Sequence, residues 1–126
     1  MASELTFNIS TTSRINGIQE GSSNTCILTQ TGTINRQVTQ TLSTTAEAAD
    51  VGDVVAPFWI KVINLDTTNT VTVGTDSTAL AKPIGQLPAA SGTNLPFLFT
   101  RIPTGTTVYA VAGAGTPKIR LEIFPE

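Results

Sequence analysis

A chain of 126 residues with a net charge of −2, 13% charged side chains and 40% hydrophobic ones is long enough for one domain with a real core and too short for two comfortable ones. No window gathers four or more Lys or Arg, which excludes the counterion-releasing patch that phosphate-backbone binding needs, so no nucleic-acid partner is expected. No apolar run approaches the roughly 18 residues of a membrane helix, and Met1-Ala2-Ser3-Glu4 does not open a charged-then-apolar leader, so a soluble, cytoplasmically made chain without a membrane partner is expected.

Thr fills 23 positions. It favours extended backbone and faces water without charge, which suits sheets that pack against other protein. Leu5, Phe7 and Ile9 alternate with Thr6 and Asn8, the period of a first strand. Residues 11–24 are polar with two glycines and read as loop. Residues 1–24 are thus expected to form an N-terminal strand-and-loop arm that orders on assembly. Residues 25–31 read as a second strand, in which the single Cys26 is a small apolar residue with no intrachain partner. Thr33-Ile34 and residues 37–43 read as a third, anchored by Val38 and Leu42.

Residues 44–50 break the pattern. Thr44 or Thr45 can cap Ala46-Glu47-Ala48-Ala49, so a helical turn is expected there. Residues 58–65 form the clearest strand, with Phe58, Ile60 and Val62 on one face and Trp59, Lys61 and Ile63 on the other. Apolar groups on both faces imply a central strand, or a second face that meets a partner. Asp66-Thr67-Thr68-Asn69 reads as a turn, and residues 70–74 as the returning strand of a hairpin. Residues 75–94 are loop-rich, punctuated by Pro83, Gly85, Pro88 and Gly92, with a short strand over 84–87. Residues 95–101 carry Phe97 and Phe99 on one face, Pro103-Thr104-Gly105 turns, and residues 107–111 hold the only Tyr. After a Gly-rich turn at 112–116, Ile119, Leu121 and Ile123 point inward while Lys118, Arg120 and Glu122 point out.

About eight short strands with almost no helix predict an all-β, single-domain β-sandwich or jelly roll over residues 1–126. With no histidine, Ser-His-Asp and Cys-His arrangements and most zinc sites are excluded. Most of the nine carboxylates are scattered through loops, turns and chain ends. Asp50-Val51-Gly52-Asp53 lacks the acidic alternation of a calcium loop, and Gly113-Ala114-Gly115-Thr116 lacks the Lys and helix of a phosphate loop. The expectation is a non-enzymatic chain with no catalytic residue, no metal and no cofactor. Trp59 reads either as a core residue or as an interface anchor. The candidate interface residues are Phe7, Trp59, Ile63, and Gln86 and Asn94 at the ends of a polar segment suited to draping over a neighbour.

Over residues 45–126 the order of elements resembles small virion proteins of tailed bacteriophages. The strand of residues 58–65 ends in Asn64-Leu65-Asp66, a turn closes at Asn69, and Val71-Thr72-Val73-Gly74 returns. Phe97-Leu98-Phe99-Thr100-Arg101, then Val108-Tyr109-Ala110, then the alternating strand of residues 118–123 follow in the same order. The resemblance implies a capsid decoration, or cement, protein on the outer capsid surface. Its implied partners are the major capsid protein and itself, as a homodimer or homotrimer. It transfers no residue-level site, because that class binds through whole surfaces. The alternatives are another virion part (a tail, collar or head-fibre module) and a carbohydrate-binding β-sandwich with Trp59 and Tyr109 as its platform.

Overall fold

A computed structural model describes residues 3–31 and 35–126, and every regular element among them is a strand. In chain order these are β1 Ser3–Ile15, β2 Ile18–Gln30, β3 Arg36–Thr41, β4 Glu47–Ala48 and β5 Phe58–Asn64. They continue as β6 Val71–Gly74, β7 Pro83–Leu87, β8 Phe97–Ile102, β9 Tyr109–Ala112 and β10 Lys118–Pro125. The chain is all-β as expected. Thr33 and Ile34, expected to open the third strand, lie outside the described residues.

β3 to β10 build two four-stranded sheets, ordered β3-β10-β5-β8 and β4-β9-β6-β7. All pairs are antiparallel. The order has a simple logic. β6 pairs with β7, β5 with β8, β4 with β9 and β3 with β10, so the two halves of the chain run back along each other as one ribbon. Successive rungs of the ribbon fall alternately on the two sheets, which face each other as a sandwich. β1 and β2 form a separate two-stranded ribbon.

The core lies between the sheets. Ile119, Leu121 and Ile123 are fully buried, as are Ile60 and Val62 opposite them and Val71 and Val73 on the second sheet. Burying such side chains stabilises by about 1.5–3 kcal/mol each. Alternation along β10 is strict, with Lys118 and Arg120 exposed, so a one-residue slip would expose the whole set. Gly85 on β7 lets Leu98 of β8 approach from the other sheet. A Cβ there would stand 3.3 Å from Leu98 Cδ1, so an alanine would require the Leu98 side chain to give by a few tenths of an ångström.

Two sequence expectations within the sandwich are corrected. The helical turn at residues 44–50 is absent, and Glu47 and Ala48 instead pair with Ala110 and Tyr109 as β4. With this strand the described residues hold ten, against the eight or so expected. Four helix-favouring residues cannot offset the cost of nucleating a helix, whereas the edge of β9 offers ladder bonds. Ala49 N–H donates to Val108 C=O at 2.8 Å, and the Gln40 side chain donates to Ala48 C=O at 3.0 Å and accepts from Asp50 N–H at 2.9 Å.

The hairpin expected between β5 and β6 is the other. β5 pairs with β8 and β10, and β6 with β7 and β9, so the turn between them carries the chain across the sandwich. Asn64 is responsible. Its fully buried Nδ2 donates to the carbonyls of Asn69 and Pro88, both at 2.9 Å, and its Oδ1 accepts from Asp66 N–H at 3.0 Å. Asp66 Oδ1 then accepts from Thr68 and Asn69 N–H at 2.7 and 2.6 Å. These side-chain bonds take the place of the rungs a hairpin would have made.

Candidate functional site

β1 and β2 pair in register from Ser3 with Gln30 to Ile15 with Ile18, leaving a two-residue turn at Asn16-Gly17. Both turn residues have positive φ, 51° and 80°. That is the turn whose twist matches the strands it joins, and Asn-Gly is its favoured pair. Residues 11–15 and 18–24, expected as loop, are therefore corrected to strand, with the turn at Asn16-Gly17 between them. Every residue from 8 to 25 is exposed. With neither face buried, no apolar alternation is required there, and Ser and Thr conceal the strand. At the usual strand rise the exposed part of this arm extends about 25 Å.

The arm is rooted on the outer face of the first sheet, the face that does not meet the core. Leu5 is buried there. The Phe7 ring lies 4.7 Å from Phe99 edge-on and 5.4 Å from Trp59, and Trp59 stacks on Phe99 at 5.3 Å. Offset and edge-on rings add about 0.5–1.5 kcal/mol per pair beyond area burial. Trp59 is thus outside the core. Its strand is central, between β10 and β8, and its second face is covered by the chain's own arm. At the arm's base, Gln30 Nε2 donates to Pro125 C=O at 3.0 Å and Thr31 Oγ1 to Glu126 C=O at 2.8 Å. The Arg101 guanidinium grips the Glu126 carboxylate through two bonds of 2.6 and 2.9 Å. This contact, first through its hydrogen bonds, holds the Glu126 carboxyl below its ordinary range.

Beside the arm is a cleft of about 390 Å³. Residues 5–10 of β1 form one wall, and Lys61, Phe97, Phe99, Glu122 and Phe124 form the floor; β2 contributes nothing. Lys61 and Glu122 are direct cross-strand neighbours with a 3.8 Å ion pair, and Lys61 Nζ stands 5.1 Å over the Phe97 ring. Phe97 is nevertheless 56% exposed. It also lines a second, shallower cleft with Gln86, Pro88, Asn94 and Leu95.

The expected interface residues therefore fall into two groups. Phe7 and Trp59 meet at the arm root, Gln86 and Asn94 both line the shallow cleft, and Phe97 lines both clefts. Ile63, at 7% exposure, is buried by its own chain and offers little to a partner. Sequence reasoning missed Phe97 and Leu95 as surface residues, and Ile15 and Ile18 at the arm tip, 67% and 65% exposed. Asn16-Gly17 between two isoleucines was the signal that could have found the tip.

The arrangement offers apolar and aromatic surface, the Lys61–Glu122 and Arg101–Glu126 ion pairs and open strand edges. Among the described residues no three His, Cys, Asp or Glu side chains come together as a metal site. Comparison with protein-family models, curated proteins and solved structures finds no match for this chain.

Proposed function

We propose that this chain is a non-enzymatic structural protein of a tailed-bacteriophage virion, a cement protein that binds the major capsid protein lattice from outside as a homo-oligomer. The observation that carries the reading is the arm, a ribbon exposed on both faces from residue 8 to residue 25. An isolated two-stranded ribbon is marginal in water, and its open edges invite pairing with another chain. Such an element earns its place where a neighbour covers it, and a lattice supplies neighbours on every side. Avidity over many copies then allows each contact to be weak.

Two further features support the reading. The surface is rich in Thr and poor in charge, which suits burial in an assembly better than life as a free monomer. The folding of one long ribbon over two facing four-stranded sheets suits a jelly roll, the fold common in the class that residues 45–126 resemble. The carbohydrate-binding alternative loses support, because Trp59 is stacked on Phe99 and capped by Phe7 and is no open platform.

The decisive experiment is a density map of virions from the phage that encodes the chain, beside virions with its gene deleted. Density that vanishes from the head lattice on deletion, with heads that then break more readily under heat or osmotic shock, is the expected result. Loss of density from the tail or collar instead would reassign the protein to that part of the virion.

A further inference from the structure

We propose that β1 is a two-fold pairing strand. The open edge of β1 in one copy takes β1 of a second copy, antiparallel and centred on Ile9, over the cleft beside the arm. The inference deepens the homo-oligomer part of the proposed function and rests on it.

The turn determines which backbone groups are free. A turn of this type is closed by a bond from Ile18 N–H to Ile15 C=O, so Ile15 and Ile18 are a hydrogen-bonded pair. Bonded and non-bonded pairs alternate along an antiparallel ladder. The odd residues of β1 therefore bond to β2, and the even ones, from Glu4 to Arg14, aim N–H and C=O at the open edge. Ser3–Ile15 contains no proline, lysine or bulge, and of the usual devices against strand addition it carries only two charges, Glu4 and Arg14, near its opposite ends.

The charges choose the register. In a two-fold antiparallel pair, bonded rungs must join even residues to even residues. Glu4 and Arg14 are the only charged residues on β1, and both are even. Placing Glu4 opposite Arg14 of the second copy puts the two-fold axis at Ile9, and symmetry forms the ion pair twice. Among the described residues Glu4 has no ion-pair partner in its own chain, and Arg14 bonds only to Gln19 Oε1, at 2.7 Å, leaving donors to spare.

The cleft lies on the side this register needs. It is walled by β1 and not by β2, so the incoming strand runs above it. In this register odd residues of both copies share the face that carries Phe7. Ile9, Thr11 and Ser13 of the second copy then lie over Phe97 and Phe124, and its tip residues Ile15 and Ile18 reach the outer face of the first copy's sandwich. One contact thereby covers the exposed Phe97, Ile9, Ile15 and Ile18 of both copies.

Sedimentation equilibrium and size-exclusion chromatography with light scattering test this on the whole chain. The wild type is expected to be a dimer that dissociates on dilution. E4R and R14E should each weaken it about tenfold, since each removes two cross-strand pairs and sets like charges opposite. The swap E4R/R14E should restore affinity close to wild type. Ser10→Pro removes an N–H aimed at the open edge and none from the β1–β2 ladder, so it should abolish the dimer while circular dichroism and Tm stay unchanged. A wild type that is monomeric at every concentration, a dimer indifferent to S10P, or a double variant that stays as weak as the single ones each overturns the proposal. Binding to heads that lack the protein is measured separately. A dimer that ignores such heads sinks the cement reading alone, and a monomer that binds them sinks the pairing alone.

Discussion

Asn64 is the one fully buried polar side chain among the described residues. Through its amide it joins β5 to the turn at Asn69 and to Pro88 after β7. Asn64→Leu keeps the branched shape but strands those carbonyls without a donor, and is expected to cost about 3 kcal/mol in urea unfolding. Asn64→Asp should be worse at neutral pH, where a carboxylate would face carbonyl oxygens, and should recover in part on acidification as the buried acid takes up a proton. Asp66 behaves in the opposite sense. The N–H of Asn69, and next that of Thr68, hold its carboxyl below the ordinary 3.8. A depressed carboxyl contributes stability that is fully present above its unfolded pKa and is lost as pH falls through its folded one. Thermal unfolding should therefore show Tm falling as pH drops below about 3.8, and Asp66→Asn should flatten that acid limb.

Among the elements, the arm and the sandwich should respond independently. Gly17 sits at φ 80° with open space around it. Gly17→Ala therefore strains only the turn, and should speed amide exchange along β1 and β2 while leaving the Tm of the sandwich unchanged. Phe7→Ala removes the ring that caps the only Trp, Trp59, so the fluorescence should shift to longer wavelength as water reaches the indole. The same contrast explains what could be read from the chain alone. β10 was legible because burial on one face forces Ile119, Leu121 and Ile123 into alternation. The distal arm was not, because a strand wet on both faces has no pattern to show. β4 was not, because two residues held by tertiary ladder bonds carry a local propensity that points elsewhere. The site divided in the same way. Phe7 and Trp59 stood out as apolar groups on strands, while the exposure of Phe97 depends on where the arm ends its cover, which only the packed molecule reveals.

For the whole molecule, the ribbon-like pairing of the two halves has a kinetic consequence. β6 and β7 are joined by the short segment from Gly74 to Pro83, whereas bringing β3 against β10 closes the chain from Thr41 to Lys118. Loop-closure entropy grows with that span, and each rung, once formed, shortens the loop the next rung must close. Folding should start at β6–β7 and zip outward, ending at β3–β10. The segment between β6 and β7 is already pre-shaped by Asp76, whose carboxylate accepts from the Thr78 hydroxyl at 2.6 Å and from Thr78 and Lys82 N–H, both at 3.2 Å. Stopped-flow refolding of Asp76→Ala should therefore be slower than wild type with little change in the unfolding rate. Val38→Ala, on the last rung, should unfold faster and refold at the wild-type rate. On a chain emerging from the ribosome, β3 has no strand to pair with until β10 is made.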